Sequence, residues 1–392
     1  MLAEVAAGVA PVTYHMGLRG DGTLVRVSWD HWARAERAEI AAADRWRTIR
    51  ELDSGGPVAR LDGCEVVSFA SNDYFGLSQH PAVRAAAHEA IERWGTGAGS
   101  ARLIAGSRPV HSELERELAD WKGAERALLF PTGFAANLGV LSVVGGPDVT
   151  IISDQLNHAS IIDGCRLARG EVRIYRHGDT GQVAQLLRDA NRAVVVTDSV
   201  FSMDGDLAPL AELARLCAAR DALLVIDEAH AALGPEPPRT GAPVLRVGTL
   251  SKMLGSVGGF VAGPGPLVDL IINRARSFIF TTAPAPAAAA AALAALRVLR
   301  SGEGDTLRAR LAALTGRVRP GHPSPIIPVV LGDESAAVAA SRALLARGLL
   351  VPAIRPPTVP PGTSRLRVAL SAAHSDEQIS RLLTGLAAVV PA

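Results

Sequence analysis

Two lysines stand out in a chain whose positive charges are otherwise arginine. The 392-residue sequence has 40 Lys and Arg together, and lysine occurs only at positions 122 and 252. A lysine can lose its proton and form an imine, whereas an arginine does neither at usable pH. Lys252 follows an apolar segment together with Thr249 and Ser251, while Lys122 lies beside Trp121 in a polar, helix-like stretch. We therefore interpret Lys252 as a candidate catalytic amine and Lys122 as a surface residue.

Short aliphatic and β-branched runs alternate with helical patterns through the middle of the chain. Continuous apolar strands that alternate with helices predict an α/β fold with a mostly parallel sheet covered on both faces. In such sheets, ligands gather at the carboxyl ends of the strands, so the side chains that follow the runs form the candidate site. The strand-like runs are 127–130, 149–152, 172–175, 193–197, 222–226 and 244–247.

The residues that follow these runs could together serve one cofactor. Thr132 precedes a helical pattern, and the first N–H groups of a helix are typical of phosphate sites. Asp227 could keep a pyridinium nitrogen protonated, and Lys252 could bind an aldehyde. These groups favour pyridoxal 5'-phosphate (PLP) as the cofactor. The side chains at the strand ends are Thr132, Gly133, His158, Ser202, Asp227, His230 and Lys252.

Each of these residues taken alone has an ordinary structural explanation. A single Asp227 is more often a helix cap or turn residue, and Ser202 is more often a turn hydroxyl. His158 and His230 taken singly are more often structural histidines than functional ones. Along the chain, a phosphate loop is followed by a His, an Asp-x-x-His motif and a Ser-Lys pair. This order favours the functional interpretation.

Two familiar patterns are excluded by their context. The glycine-rich segment 95–100 follows a predicted helix rather than a strand, so it fails the condition for a dinucleotide-binding loop. The segment 227–230 has the letters of a helicase box, but the sequence contains no Walker A motif. We therefore exclude ATP hydrolysis.

Six motifs carry a resemblance that extends over roughly residues 60 to 390. They are SNDYFGL at 71–77, TGFAAN at 132–137, NHAS at 157–160, FSMDGD at 201–206, DEAH at 227–230 and GTLSK at 248–252. Together these motifs resemble those of the α-oxoamine synthases, a branch of the fold-type I PLP enzymes. The C-terminal segment 353–367 is most similar to the biotin-pathway branch of that family. The sequence departs from the family pattern at Ser100-Ala101 and at Ala231, which bears on the choice of acyl substrate more than on PLP chemistry.

The resemblance implies a role for each matching residue around the cofactor ring. Lys252 would hold PLP as a Schiff base and move protons at the substrate α-carbon. Asp227 would pair with the pyridinium nitrogen, and His158 would stack on the ring. Ser202 and His230 would form hydrogen bonds to the phenolic oxygen of the ring.

The resemblance also implies residues for the phosphate and the substrates. Thr281 and Thr282 match a segment that reaches the phosphate from a second subunit. Arg355 would clamp the amino-acid carboxylate, with Asn72 close by, and Arg47 matches a substrate-side arginine near the N-terminus. The phosphate side of the cofactor would be held in the same subunit by Thr132, Gly133, Phe134, Thr249 and Ser251.

The implied architecture is a fold-type I transferase with two domains. A large domain with a mostly parallel seven-stranded sheet would span 63–296, and a smaller C-terminal α+β domain would span 297–392. Residues 1–62 would form an N-terminal segment with an irregular leader and a helix over 28–50. A long helix over 296–314 would lead into the C-terminal domain. The resemblance further implies a homodimer with its active site at the subunit interface.

The implied reaction joins L-alanine to an acyl thioester, pimeloyl-CoA or a pimeloyl carrier protein, with loss of CO2. Three alternatives remain open. Another family member, such as glycine C-acetyltransferase, 5-aminolevulinate synthase or a sphingoid-base synthase, would prefer a different amino acid or acyl group. A fold-type I aminotransferase would transfer an amino group without releasing CO2. A non-catalytic cofactor-binding module would do neither.

Composition limits the other classes of function. The net charge of +1 and the absence of a basic run argue against nucleic-acid and membrane partners. The three cysteines have neither a disulfide framework nor a metal spacing, so we expect no metal site and a cytoplasmic location. The N-terminus lacks the basic region of a signal peptide.

Overall fold

The computed structural model describes residues 28–43, 45–234, 236–237 and 240–390. The predicted irregular leader at the N-terminus lies almost entirely outside these residues. Among the described residues, no helix has both the length and the apolarity needed to cross a bilayer.

A seven-stranded sheet forms the centre of the molecule, as the sequence predicts. Its order is β4-β10-β9-β8-β7-β5-β6, and β10 runs antiparallel to both of its neighbours while the other strands are mutually parallel. The strands are β4 (Arg126–Phe130), β5 (Thr150–Asp154), β6 (Glu171–Tyr175), β7 (Ala193–Asp198), β8 (Leu223–Asp227), β9 (Val244–Thr249) and β10 (Gly259–Gly263). The first six of these strands match the predicted runs, and β10 is an addition that the sequence pattern missed.

Two smaller sheets complete the fold. One joins the beginning of the described chain to a late segment, because β3 pairs in parallel with β12. Its members are β1 (Leu52–Ser54), β2 (Val58–Leu61), β3 (Cys64–Ser68) and β12 (Leu349–Leu350). The other sheet has the order β11-β14-β13 and consists of β11 (Ile326–Gly332), β13 (Ala353–Ile354) and β14 (Ser364–Ala369). The three predicted domain ranges stay a prediction, and the pairing of β3 with β12 crosses them.

Helices cover the sheets. Several begin where the sequence supplies a cap or a proline, as at Pro81, which is the first residue of its helix, and at Thr132, whose side chain accepts a hydrogen bond from Ala135 N. The helices are α1 (Trp29–Ala42), α2 (Pro81–Trp94), α3 (Pro109–Lys122), α4 (Gly133–Val144), α5 (Ala159–Leu167), α6 (Thr180–Arg188), α7 (Leu210–Ala218), α8 (Gly265–Arg274), α9 (Arg276–Ile279), α10 (Pro286–Leu299), α11 (Gly302–Val318), α12 (Glu334–Leu345) and α13 (Asp376–Val389). Short 3-10 and π-helical turns occur at Leu77–Gln79 and Arg102–Gly106.

Both faces of the central sheet are buried. Along β7, Val194 and Val196 belong to one apolar cluster with α4 and α5, whereas Val195 belongs to another with α6 and α7. Successive side chains of a strand point to opposite faces, so a continuous apolar run is the sequence of a strand covered on both sides. The sheet is therefore packed on both faces, and its strands extend from the core to the residues at their carboxyl ends.

Two predicted helices differ from the structure. The helix predicted over 28–50 ends at Ala42. Arg45, just beyond it, forms an ion pair with Glu334 of α12 at 3.0 Å, so the chain past the helix is held by a contact distant in sequence. The long helix predicted over 296–314 is two helices, because Ser301 caps the start of α11 by accepting from Glu303 N.

Lys122 is buried, which corrects its interpretation as a surface residue. Its side chain is 3% exposed, and its Nζ lies 2.9 Å from Glu228 Oε2. The same carboxylate accepts from Arg246 Nε at 2.7 Å. A buried charge is tolerated only when it is paired. The second lysine of the chain therefore has a structural partner in the core.

Candidate active site

The Lys252 amine lies in a buried hydrogen-bonded chain. Lys252 Nζ is 2.8 Å from His230 Nε2, and His230 Nδ1 is 2.6 Å from the hydroxyl of Tyr74. The Tyr74 hydroxyl in turn donates to Asn72 Oδ1 at 3.2 Å. Every atom is satisfied when Lys252 donates to Nε2 and the Nδ1–H of His230 donates to Tyr74. The sequence therefore brings together two predicted residues, Lys252 and His230, that lie on different loops.

Burial shifts the ionisation of this chain toward neutral forms. Burial lowers the pKa of Lys252, although the charges of Asp227 and Asp198 oppose the change. The pKa of His230 lies well below its usual value because of burial, with Lys252 nearby adding to the effect. Burial also raises the pKa of Tyr74 to about 12. A lysine with a lowered pKa next to a neutral imidazole can act as a nucleophile and as a base.

The Asp227 carboxylate lies at the end of β8 and is held in a fixed orientation. Its Oδ2 accepts from Asn137 Nδ2 at 2.6 Å, and its Oδ1 accepts from Ala229 N at 2.8 Å. Asn137 also donates to Ser160 Oγ at 2.9 Å, and that hydroxyl lies 2.8 Å from His158 Nδ1. The predicted ring partners Asp227 and His158 are thus linked through two intervening side chains.

The start of α4 packs closely against β10 and the end of β9. A Cβ atom added to Gly259 would lie 2.4 Å from Gly133 N, and one added to Gly133 would lie 3.3 Å from Thr249 Cβ. The first N–H groups of a helix have no partner within the helix, so those of Gly133 and Phe134 are available to an anion. Thr249 Oγ1 and Ser251 Oγ lie 2.7 Å apart on the adjacent strand end. A phosphate group matches this arrangement of small residues, N–H groups and hydroxyls.

Ser202 lies in a turn that contacts the smaller three-stranded sheet. Its carbonyl accepts from Arg367 Nε at 2.6 Å, and the neighbouring Asp204 pairs with Arg365. The Arg367 Nη2 also donates to Asn72 Oδ1 at 3.1 Å. Arg367 is 5% exposed, so a buried cation lies beside the predicted substrate residue Asn72.

The other predicted substrate residues lie elsewhere. Arg47 and Arg355 line a cavity of about 220 Å³ together with Arg45 and Thr358. Arg47 and Arg355 therefore line one cavity, and their predicted roles in substrate binding stay a prediction. Lys252 is not among the residues that line this cavity.

Thr281 and Thr282 follow α9. Thr282 pairs with Ala101, which directly follows the glycine-rich segment, and Ala283 N donates to Ser100 O at 3.0 Å. The two threonines therefore lie beside the loop in which the sequence departs from the family pattern. Their predicted contact with a cofactor held by a second subunit stays a prediction.

Sequence reasoning missed several residues that contact the predicted ones, among them Tyr74, Asn137 and Arg367. All three lie within segments that carried the resemblance, yet their partners are distant in sequence. Asn137 lies one helical turn after Gly133, so its place on the helix that starts at the phosphate loop was the available signal.

These features, an amine with a lowered pKa, a carboxylate held in a fixed orientation and a helix N-terminus beside hydroxyl groups, agree with the comparisons to known proteins. The model of the family "Aminotransferase class I and II" matches residues 65–386. The chain belongs to the aminotransferase class I and II family. The resemblance to PLP enzymes of fold type I is thereby confirmed.

Individual relatives show which enzymes within this family are similar to the chain. An 8-amino-7-oxononanoate synthase of Anaeromyxobacter dehalogenans (strain 2CP-1) is 48% identical, covering 92% of this chain and 96% of that protein. A structure of SPT (serine palmitoyltransferase) with its PLP internal aldimine is 31% identical, with a TM-score of 0.85 over 91% of this chain and 96% of that one. The 8-amino-7-oxononanoate synthase of Francisella tularensis is 26% identical, with a TM-score of 0.70 over 82% of this chain and 97% of that one. The predicted resemblance to the α-oxoamine synthases is confirmed by these relatives.

Proposed function

We propose that the chain is a PLP-dependent acyltransferase that condenses L-alanine with a pimeloyl thioester. The products are 8-amino-7-oxononanoate, CO2 and the free thiol, and the reaction is a step of biotin biosynthesis. The 48% identity to an 8-amino-7-oxononanoate synthase over 92% of the chain carries the proposal. The lowered pKa of Lys252 and its contact with His230 supply the chemistry that such an enzyme needs.

The cofactor is PLP, whose ring when bound supplies an electron sink for negative charge at the substrate α-carbon. Lys252 would hold its aldehyde, and Asp227, fixed by Asn137, would hold its ring nitrogen. His158 would lie against the ring, and Ser202 and His230 would form hydrogen bonds to its phenolic oxygen. The first N–H groups of α4, with Thr132, Thr249 and Ser251, would bind the phosphate.

The chain's own groups then move one proton and orient two substrates. Lys252 removes the proton from the alanine α-carbon, and His230 keeps the amine oriented through its 2.8 Å contact. A bond forms between the α-carbon and the acyl carbonyl carbon while the carbon–sulfur bond breaks, and the departing thiolate takes a proton from solvent to give the free thiol. The carboxylate leaves as CO2, and Lys252 returns a proton to the α-carbon.

Two arginines are candidates to bind the alanine carboxylate. Arg355 is the sequence-based candidate, and its planar guanidinium suits a carboxylate. Arg367 is the candidate favoured by geometry, since it contacts Asn72 and the turn of Ser202. With Arg367 in that role, Arg47 and Arg355 would bind an anionic group of the acyl donor in their shared cavity.

We further propose a homodimer in which Thr281 and Thr282 of one subunit reach the phosphate held by the other. The acyl group would arrive on CoA or on a carrier protein, and no nucleic acid or membrane would take part.

The two-lysine sequence permits a direct test of the cofactor link. Borohydride reduction of the PLP-loaded protein followed by peptide mass analysis should place the cofactor on Lys252, with Lys122 unlabelled as an internal control. A label on Lys122, or on neither lysine, would contradict the proposed site.

Substrate profiling tests the reaction itself. Product mass should correspond to 8-amino-7-oxononanoate with L-alanine and pimeloyl-CoA or a pimeloyl carrier protein. A preference for glycine with acetyl-CoA would instead assign glycine C-acetyltransferase activity. Amino transfer to a keto acid without CO2 would assign an aminotransferase.

A further inference from the structure

His177 contacts two carboxylates at once. It follows β6, and its Nδ1 lies 3.1 Å from Asp154 Oδ1 while its Nε2 lies 2.7 Å from Asp206 Oδ2. A neutral imidazole has one N–H, so donation to both carboxylates requires the doubly protonated ring. The contacts therefore describe an imidazolium between two anions.

The first carboxylate belongs to the turn that leads to His158. Asp154 is 3% exposed at the end of β5, and its side chain accepts from the backbone N–H groups of Leu156 and Gly178. Its carbonyl accepts from Asn157 N at 3.3 Å. Movement of Asp154 would therefore move the backbone that carries His158.

The second carboxylate belongs to the turn of Ser202. Phe201 N donates to the carbonyl of Asp206 at 3.0 Å, which closes this turn. The Phe201 ring also meets the His177 ring edge-on, with centroids 4.3 Å apart. Arg367 holds the same turn from the smaller sheet through the Ser202 carbonyl. Arg367 thus holds this turn on one side and His177 holds it on the other. His177 is the residue that connects the turn to Asp154 at the end of β5.

We propose that His177 is a positioning residue, a cationic brace that fixes the turn of His158 relative to the turn of Ser202. Since both of those side chains would contact PLP, the inference rests on the proposed function. The charge of the brace is stable near neutral pH, because the hydrogen bonds to Asp154 and then Asp206 raise the pKa of His177 to about 10. Those two carboxylates are the charged groups that face the ring.

Nitrogen-15 NMR of the histidine-labelled, PLP-loaded protein tests the brace without an activity assay. The His177 signal, assigned by its loss in His177→Gln, should show two protonated ring nitrogens at pH 8. A neutral-imidazole pattern at pH 7 would overturn the proposal.

Three variants test the positioning role. His177→Gln should lower kcat roughly tenfold to a hundredfold and shift the pH midpoint of the PLP visible band, because small misplacements of reacting groups are costly. Asp206→Asn, which keeps an oxygen acceptor but removes one charge, should give a smaller change. The exposed His88→Gln should change neither kcat nor the band and serves as the control.

The outcomes distinguish a failure of the positioning role of His177 from a failure of the proposed reaction. A His177→Gln variant with a lower melting temperature but an unchanged kcat and unchanged visible band would contradict the positioning role. A wild-type protein that makes no product from L-alanine and pimeloyl thioesters would contradict the proposed function alone. In that case, the NMR pattern and the visible band would still decide the role of His177.

Discussion

Arg367 and Arg355 differ in their surroundings although both belong to the same C-terminal segment of the sequence. Arg367 is buried against Asn72 and Ser202, whereas Arg355 lines the cavity shared with Arg47. An arginine guanidinium stabilises a bound carboxylate mainly by charge-assisted hydrogen bonds. The two arginines are therefore distinguished by which substrate loses affinity when each is replaced.

We expect Arg367→Gln to raise the Kd for L-alanine by roughly tenfold or more. The loss of hydrogen bonds to a charged group costs about 1.5–3 kcal/mol, and each 1.4 kcal/mol is about tenfold in affinity. The change is measured by titrating alanine against the visible band of the PLP-loaded protein. Arg355→Gln is the matched variant and should affect the acyl donor more than alanine. If Arg355→Gln weakened alanine binding and Arg367→Gln did not, the alanine carboxylate would be assigned to Arg355.

Single residues were predictable from the sequence where their residue type is rare in this chain or where they directly follow an apolar run. Lys252 was found because lysine is scarce in this chain, and Asp227 because it directly follows an apolar run. The surface interpretation of Lys122 is wrong because it rested on the polar stretch around this lysine, while its partner Glu228 is distant in sequence. Tyr74 and Arg367 were missed for the same reason, since their contacts exist only after distant segments meet.

Among the elements, the start of α4 and strand β10 make a close backbone contact near the candidate site. A Cβ atom on Gly259 would lie 2.4 Å from both Gly133 N and the Thr132 carbonyl carbon, which are backbone atoms that cannot rotate away. We expect Gly259→Ala to displace the start of α4 and to weaken PLP binding roughly tenfold or more, as measured by cofactor titration.

Gly316→Ala is the control for this substitution. Gly316 lies within α11, and a Cβ atom there would meet nothing within 4 Å. Since alanine favours a helix over glycine by about 1 kcal/mol, this variant should be slightly more stable with unchanged PLP affinity. Equal PLP affinity in the two variants would show that the α4–β10 contact does not shape the cofactor site.

The buried ion network beside β8 gives a second prediction at this scale. Glu228 is buried between Lys122 and Arg246. Lys122→Met should lower the free energy of unfolding by about 1.5–3 kcal/mol, because the buried carboxylate loses one of its two cationic partners and keeps Arg246. Urea unfolding measures the change. The double variant Lys122→Met with Glu228→Gln should be less destabilised, and a larger loss in the double variant would argue against the pairing.

The order of elements was largely predictable because long apolar runs and helix periods dominate the central sheet. β10 escaped notice because Gly259–Gly263 is short and begins and ends with glycine. The break between α10 and α11 falls in the polar, glycine-containing segment 300–305, and the cap at Ser301 decides where α11 begins. The local sequence pattern thus predicts which helices and strands occur, whereas tertiary packing and helix caps determine the residues at which they begin and end.

At the scale of the whole molecule, buried histidines set the response to acid. Burial lowers the pKa of His111 to about 4 and also lowers the pKa of His230 and His374. These groups bind protons more readily when unfolded, so stability should fall as pH drops below about 6.5. Asp198, whose pKa is raised well above its usual value by burial, opposes this trend as a single group.

His177 has the opposite effect on the alkaline side. Its folded pKa of about 10 exceeds the unfolded value, so its contribution is present at neutral pH and is lost as pH rises toward 10. Urea midpoints of the PLP-loaded protein should therefore decline on both sides of neutrality. His177→Gln should flatten only the alkaline decline, and a midpoint that rises from neutral pH to pH 5 would contradict the assignment for the buried histidines.

The pairing of β3 with β12 has a consequence for how the chain is made. Val67 N donates to Gly348 O and Phe69 N donates to Leu350 O, so a strand translated early takes its last neighbour from a segment translated late. While the ribosome is still producing the intervening residues, that strand presents an open edge to solvent and to other nascent chains. Chains that stop before residue 348 would keep this edge exposed, which makes premature termination products of this protein prone to aggregate.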